Sequence, residues 1–366
     1  MTDATHTSTA RDVFYDGTGR PGRAAASRQR TMLAAVYRQY GGPDVVALAR
    51  MPKPTPKPDE ILVAIRATSV NSGDWRARSL ELPAGFRLLG RLVFGLRGPR
   101  QPILGTEFAG VVEAVGSEVT RFRPGDEVVG FPGGRYGSHA EYRAIRENAL
   151  IDLKPANLSF EQAAALSFGS VTALPFLRDK AKVTEGDKVL VVGASGAVGV
   201  AAVQIAKHFG AEVTAVTSTP NVDLVASLGA DKVIDYKKVD FATTGETWDI
   251  ILDTTGTVPF ARCDRALNPG GRLVAVQGSL QQALGIGNPP KASGKTVIAG
   301  VPPIDLAGYR TIMQLAASGA LRPVIDRVYD LGDAAHAHAY VDTGRKRGSV
   351  VLTVGSSSNE AEDNCG

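Results

Sequence analysis

Apolar positions fall into two patterns along the chain. From Leu33 to Ala144, short runs with strand character are separated by turn residues. They are Leu33 to Tyr37, Val45 to Ala49 after Gly41-Gly42-Pro43, and Ile61 to Ile65 after the proline-rich KPTPKPDE. Gly110 to Val115, Glu127 to Gly130 after Arg123-Pro124-Gly125-Asp126, and Ala140 to Ala144 complete the set. Such runs predict a compact, mostly antiparallel β region. Beyond Pro155 the pattern changes. Ser159 with Glu161 and Gln162 behind it predicts a helix start, and a second helix is expected from Thr172 through Leu177. Unbroken aliphatic strands then alternate with helical spans, at Val189 to Val192, Val213 to Val216, Lys232 to Ile234, Ile250 to Leu252 and Arg272 to Val276. That alternation predicts an α/β fold with a doubly wound parallel sheet. A last helix around Tyr309 to Gly319 and a strand from Ser349 to Val354 are expected to return to the first domain.

Composition narrows the class. The 366 residues are 43% hydrophobic and 21% charged, with a formal net charge of +4, which describes a globular chain and gives no reason to expect nucleic acid as a partner. Cys263 and Cys365 are too few for a disulfide framework or a four-cysteine zinc lobe. No stretch of eighteen apolar residues predicts a membrane span. The first thirty residues lack an apolar core and contain Asp3, Asp12 and Asp16, which argues against a signal peptide. A cytoplasmic protein is expected. Residues 1–31 and 355–366 read as disordered extensions. Residues 32–155 read as a β domain to which 305–354 return, and 156–304 as a nucleotide-binding domain.

The chemistry-bearing stretch is KVLVVGASGAVGVAAVQIAKHFGAEVTAVTS, from Lys188 to Ser218. Gly193, Gly196 and Gly199 recur every three residues between a buried strand and a helix, with Ser195, Ala197 and Val198 among them. In such a turn one glycine bends the chain, one admits a diphosphate to the backbone amides, and one lets helix and strand pack closely. The helix N-terminus then faces the phosphates. A dinucleotide site is therefore expected. At the tip of the next strand, Thr217 and Ser218 replace the carboxylate that would hold the ribose of NAD, so NADPH is expected. Tyr236, with Lys237 or Lys238, is a candidate for the remaining phosphate contact, the alternative being ordinary surface residues. Gly256 in DTTG and Gly278 in AVQG end later strands and are expected to let the backbone approach the cofactor.

The order of AAVYRQYGGPDVV, VNSGDW, PILGTEFAGVVEAVG, RFRPGDEVVGF, HAEY, GASGAVG, LGADKVIDY, LDTTG and LRPVIDRVYDL resembles the medium-chain dehydrogenase/reductase superfamily, in its zinc-free, quinone-oxidoreductase-like branch. The likeness runs from about residue 33 to 354. It implies a GroES-like β domain joined to a Rossmann domain with the active cleft between them, and a homodimer. The catalytic zinc positions of the superfamily's alcohol dehydrogenases match Asn71, Thr106 with Glu107, and Phe168. Asparagine, threonine and phenylalanine cannot form a tetrahedral nitrogen and sulfur site, so no metal is expected. Thr172 matches the family threonine that lies against the nicotinamide, or it caps its own helix.

Without a Lewis acid, hydride addition to an already electrophilic acceptor is the better-suited reaction. NADPH-dependent reduction of a quinone or an activated C=C bond in a small hydrophobic conjugated carbonyl is expected. A non-catalytic cofactor-binding protein and a biosynthetic tailoring enzyme on the same fold are the alternatives. Asn71 is a candidate donor to a substrate or ribose oxygen, against a turn residue before Gly73. Asp74 is expected to cap or orient, Trp75 to line the pocket or pack in the core, and Tyr136 to donate a proton or stand on an exposed loop. Residues 80–102 combine leucines with four arginines and read as a packed loop, an apolar lid or, third, a peripheral membrane contact. The segment 279–304, rich in glycine and proline, is shorter than expected for this family, where it builds the dimer sheet and one pocket wall.

Overall fold

The computed structural model describes residues 31–82, 85–284, 289–300 and 302–355. Residues 1–30 and 356–366, expected to be disordered, lie outside the described residues. Thr31, assigned to the extension, instead begins strand β1 (Thr31–Val36). β1 pairs antiparallel with β2 (Ala47–Pro52). The expected start at Val45 is displaced because Pro43–Val45 close a single 3-10 turn.

A seven-stranded sheet carries the first domain. Its members are β3 (Glu60–Val70), β4 (Phe108–Val115), β5 (Glu127–Gly130), β6 (Tyr142–Arg146) and the short β7 (Ile151–Leu153), with two strands from the end of the chain. β6 starts two residues later than expected, Ala140 making only an isolated bridge to Ala34. Alternation in β3 sends Ile61, Val63 and Ile65 into one core with Phe108, Val112 and Val128. Burial of each such side chain contributes about 1.5–3 kcal/mol. Helix α1 (Ser72–Ser79) follows β3 directly, and α2 (Arg87–Phe94) follows α1.

Helix α3 (Phe160–Ala164) starts at Ser159, whose hydroxyl accepts from Gln162 N–H in a capping box. α4 (Ser167–Pro175) begins five residues before the expected Thr172. Then come β8 (Lys188–Val192), α5 (Ala197–His208), β9 (Glu212–Thr217), α6 (Val222–Ser227), β10 (Lys232–Asp235), β11 (Trp248–Asp253), β12 (Leu267–Ala275) and β13 (Thr296–Ala299). The six strands are parallel in the order β10-β9-β8-β11-β12-β13. Val189 and Val191 face one core while Leu190 and Val192 face another, so both sheet faces are covered, as a doubly wound sheet requires. The chain order reverses between β8 and β11, which opens a crevice at their carboxyl ends.

The segment 279–304, read as glycine- and proline-rich, contains the edge strand β13; its residues 285–288 and 301 lie outside the described residues. The expected return at 305 comes later. Helix α7 (Leu306–Ala317) packs against α4 in the core of the parallel sheet, and only β14 (Ile325–Asp330) and β15 (Ser349–Thr353) join the first sheet, beside β3. Helix α8 (Ala334–Asp342) lies between these two strands in sequence and packs on that sheet.

Candidate active site

The glycine turn separates three tasks by geometry. Gly193 has φ of 76°, and a Cβ there would lie 2.5 Å from the Thr255 methyl and 2.6 Å from the Thr254 hydroxyl. Gly199 lets α5 cross β8, since its Cβ would meet the Gly193 carbonyl at 2.2 Å. Gly196 is different. Its φ of −77° suits any residue, and the nearest atom to a Cβ would be 3.5 Å away. The space in front of Gly196 is therefore open, and no side chain caps α5 behind it. An uncapped helix start with unclaimed amide donors fits a diphosphate.

The turn is held from several sides. Asn221 Nδ2 donates to Ser195 Oγ (3.1 Å) and to Ser218 Oγ (3.2 Å), and Gly348 N–H donates to the Ser195 carbonyl (2.8 Å). Gly169 of α4 sits against the Ala197 carbonyl, and Val198 packs on the core. Asn221 was not singled out from sequence, yet it joins the diphosphate turn to the β9 tip. Thr217 is 2% exposed and its hydroxyl has no partner, while Ser218 is half-buried. Tyr236 is exposed, and the Lys237 ammonium lies 5.2 Å from its ring centre. A carboxylate does stand nearby, on the neighbouring strand. Asp235, register partner of Thr217, accepts from the Thr219 hydroxyl (2.7 Å) and from Lys237 N–H (3.0 Å), and the Thr219 bond foremost lowers its pKa.

Across the crevice, α1 presents its side chains according to its cap. Asn71 is the N-cap. Its Oδ1 accepts from Gly73 N–H (2.9 Å) and Asp74 N–H (3.4 Å), and its Nδ2 donates to Thr106 Oγ1 (2.7 Å) and Ser69 Oγ (3.5 Å). At 2% exposure, the amide expected to reach a substrate or ribose oxygen is instead engaged within the protein. Asp74 completes the capping box on Asn71 N–H (3.0 Å) and accepts from Gly105 N–H (2.8 Å); burial raises its pKa. Two bonds from one carboxylate thus fix where α1 begins, and with it the direction of Trp75 and Arg76.

Those two side chains line a cavity of about 340 Å³, with Leu82, Thr255, Gly256 and Gln277 opposite or beside them. Arg76 Nη2 donates to Gln277 Oε1 (2.6 Å), and Gln277 Nε2 donates to the Thr254 carbonyl (2.8 Å). The link joins the first domain to the carboxyl edge of the parallel sheet. Arg76 Nε is buried without a partner, and burial lowers the pKa of the guanidinium. Neither Arg76 nor Gln277 was singled out; only their shared place at the cavity identifies them.

Other expected residues are placed differently. Tyr136 does not line this cavity. It is 7% exposed, packs edge-on against Phe94, and donates weakly to the Gly73 carbonyl (3.4 Å). Thr172 lies inside α4 with its hydroxyl on the Phe168 carbonyl (2.9 Å), so it does not cap that helix. Gly256, with φ of 73°, lines the cavity. Gly278 is explained by packing, because a Cβ there would lie 2.8 Å from Ala299 Cβ on β13. Asn71, Thr106 and Phe168 do gather, around Gly73. With an amide, a hydroxyl and a phenyl ring, this set does not fit zinc. Glu107 beside them is buried, accepts from Ser69 Oγ and Phe168 N–H, and is raised by burial to about 7.

A six-stranded parallel sheet with an open glycine turn, facing a β domain across a crevice, defines a two-domain nicotinamide-dependent oxidoreductase. Residues 57–155 match the alcohol dehydrogenase GroES-like domain and residues 228–352 the family described as zinc-binding dehydrogenase. The chain is 34% identical to a 2-methylene-furan-3-one reductase of Solanum lycopersicum over 88% of its length and 79% of the relative's. It is 32% identical to an NADPH-dependent alkenal/one oxidoreductase of Arabidopsis thaliana, over 90% and 81%. The solved quinone oxidoreductase of Coxiella burnetii superposes with a TM-score of 0.77 at 27% identity, over 89% of this chain and all of that one. The chain belongs to the medium-chain dehydrogenase/reductase superfamily, in its quinone-oxidoreductase-like branch.

Proposed function

We propose that the protein reduces the conjugated C=C bond of an enone, or a quinone, with NADPH as the reductant. The observation that carries this reading is the cavity between α1 and the carboxyl edge of the parallel sheet, with Arg76 reaching across it to Gln277. Backbone amides at Ala197 and Val198 would hold the diphosphate; Gly196, whose own N–H donates to the Gly193 carbonyl, leaves the approach open, and Gly193 and Gly199 shape that turn. Ser218, Thr217, Asn221 and Tyr236 with Lys237 would hold the 2′-phosphate. Thr172, Thr255, Gly256 and Gln277 would flank the nicotinamide, with Gly278 shaping the wall behind them. When bound, the cofactor supplies a hydride.

The chain's own part is to place charge. As a conjugated acceptor gains electron density, its oxygen becomes negative, and a guanidinium already placed in the wall of the cavity stabilises it. Arg76 has that position. Trp75 supplies an apolar wall. Asn71 and Asp74 act one step removed, through the cap that orients Arg76. The proton that completes the reduction comes from water, since the Tyr136 hydroxyl is directed at the Gly73 carbonyl. A cytoplasmic homodimer, joined through the open edge of β13, is part of the same reading. Mixing the protein with NADPH and a panel of enones and quinones while following cofactor absorbance tests it. Turnover with at least one class is expected; none with any member would overturn it.

A further inference from the structure

Helix α2 is amphipathic in the inverse sense. At about 100° per residue, Leu88, Leu89, Leu92 and Val93 fall within an arc of about 140°. That arc points to solvent. The four side chains are 73, 51, 50 and 59% exposed, and Leu96 just past the helix adds 57%. Packing is done by the other side, where Gly90 is buried against Leu82 and Phe94 meets Tyr136. Five of the eleven large exposed apolar residues among the described residues therefore sit within nine consecutive positions.

Charge shows what would cover this face. Between Glu81 and Glu107 there is no carboxylate, and there are four arginines, Arg87, Arg91, Arg97 and Arg100. The formal net charge of the whole chain is also +4. Arg91, Arg97 and Arg100 are exposed, and none forms an ion pair among the described residues. A guanidinium matches a phosphate in shape and charge. A second copy of the chain matches poorly, because a two-fold contact would bring like-charged arginines together with no carboxylate between them.

We propose that this face rests on a membrane surface carrying anionic phospholipid, its leucines entering the acyl boundary and its arginines meeting headgroup phosphates. Leu82 touches Gly90 on the packed side of α2 and also lines the cavity, so α2 lies between the seated face and the cavity. Entry of a lipophilic acceptor from the membrane is a consequence that rests on the proposed reaction; the docking itself does not.

Flotation of the full chain with vesicles tests this, using phosphatidylcholine alone and an equal mixture with phosphatidylglycerol. Binding to the mixed vesicles is expected, about ten-fold weaker on phosphatidylcholine and released by salt. The double variant Leu88→Asp with Leu92→Asp is expected to lose binding about ten-fold or more. Arg97→Glu with Arg100→Glu changes only exposed positions and is expected to do the same at an unaltered melting temperature. The proposal is overturned by failure of the wild type to float with anionic vesicles, or by variants that bind as the wild type does. Sedimentation in lipid-free buffer adds a further overturning result: a wild-type oligomer that both variants dissociate would assign the face to a second copy.

Discussion

The two walls of the crevice are built by opposite means. On the parallel-sheet side, the glycine turn works through backbone: Gly193 and Gly199 are required by the fold, and Gly196 alone is left open. On the α1 side, Asn71 and Asp74 use their polar atoms on the helix start, and the cavity receives what the cap orients, Trp75 and Arg76. A backbone turn can hold a diphosphate without side-chain chemistry, whereas the proposed acceptor wall depends on two side chains 201 positions apart. Changes on one wall should therefore separate from changes on the other.

The largest separation is expected within the glycine turn. Gly199→Val drives side-chain carbon into the Gly193 carbonyl and should prevent folding of the nucleotide domain, read as loss of the cooperative thermal transition. Gly196→Ala has room in the protein, so the variant should melt like the wild type while its affinity for NADPH falls about ten-fold or more. Equal effects from the two changes would break the comparison. Next in size, Arg76→Met should lower kcat/KM for enones about 100-fold, near 2.7 kcal/mol of transition-state stabilisation, with NADPH affinity unchanged.

Glu107 gives a smaller effect with a definite sign. Burial raises its pKa from 4.5 to about 7, so between these pH values the folded state holds a proton that the unfolded state has released. Stability then falls as pH rises from about 4.5 to 7 and is flat above, by up to about 3 kcal/mol from this group. Glu107→Gln should remove that slope in denaturant titrations at a series of pH values; an unchanged slope would place the proton elsewhere. Smallest of all, Tyr136→Phe should change kcat less than about two-fold, since its hydroxyl makes one long bond. A pH-dependent loss of turnover in that variant would restore it as the acid.

The parallel sheet and the glycine turn between β8 and α5 were legible because glycines every three residues and unbroken aliphatic strands encode local backbone geometry. β13 was missed because its largely β-branched run, Thr296–Ala299, is only four residues long and is flanked by glycine and proline, so that pairing with β12 is what makes it visible as a strand. Asn71 looked like a donor to substrate because its residue type permits that. Only the fold shows Thr106 and the α1 amides occupying it. Arg76 and Gln277 carry no local pattern at all, and neither does Asn221, on whose amide two serines converge. Gly278 misled in the other direction, its missing side chain being explained by Ala299.

The most direct measurement is calorimetric titration of NADPH into the wild type and Arg76→Met side by side, followed by turnover of one enone by both. Expected is saturable binding at one site per chain, with affinities within about three-fold of each other, and an enone rate that collapses only in the variant. No heat from the wild type, or loss of cofactor binding together with turnover in the variant, would contradict the division of labour between the two walls.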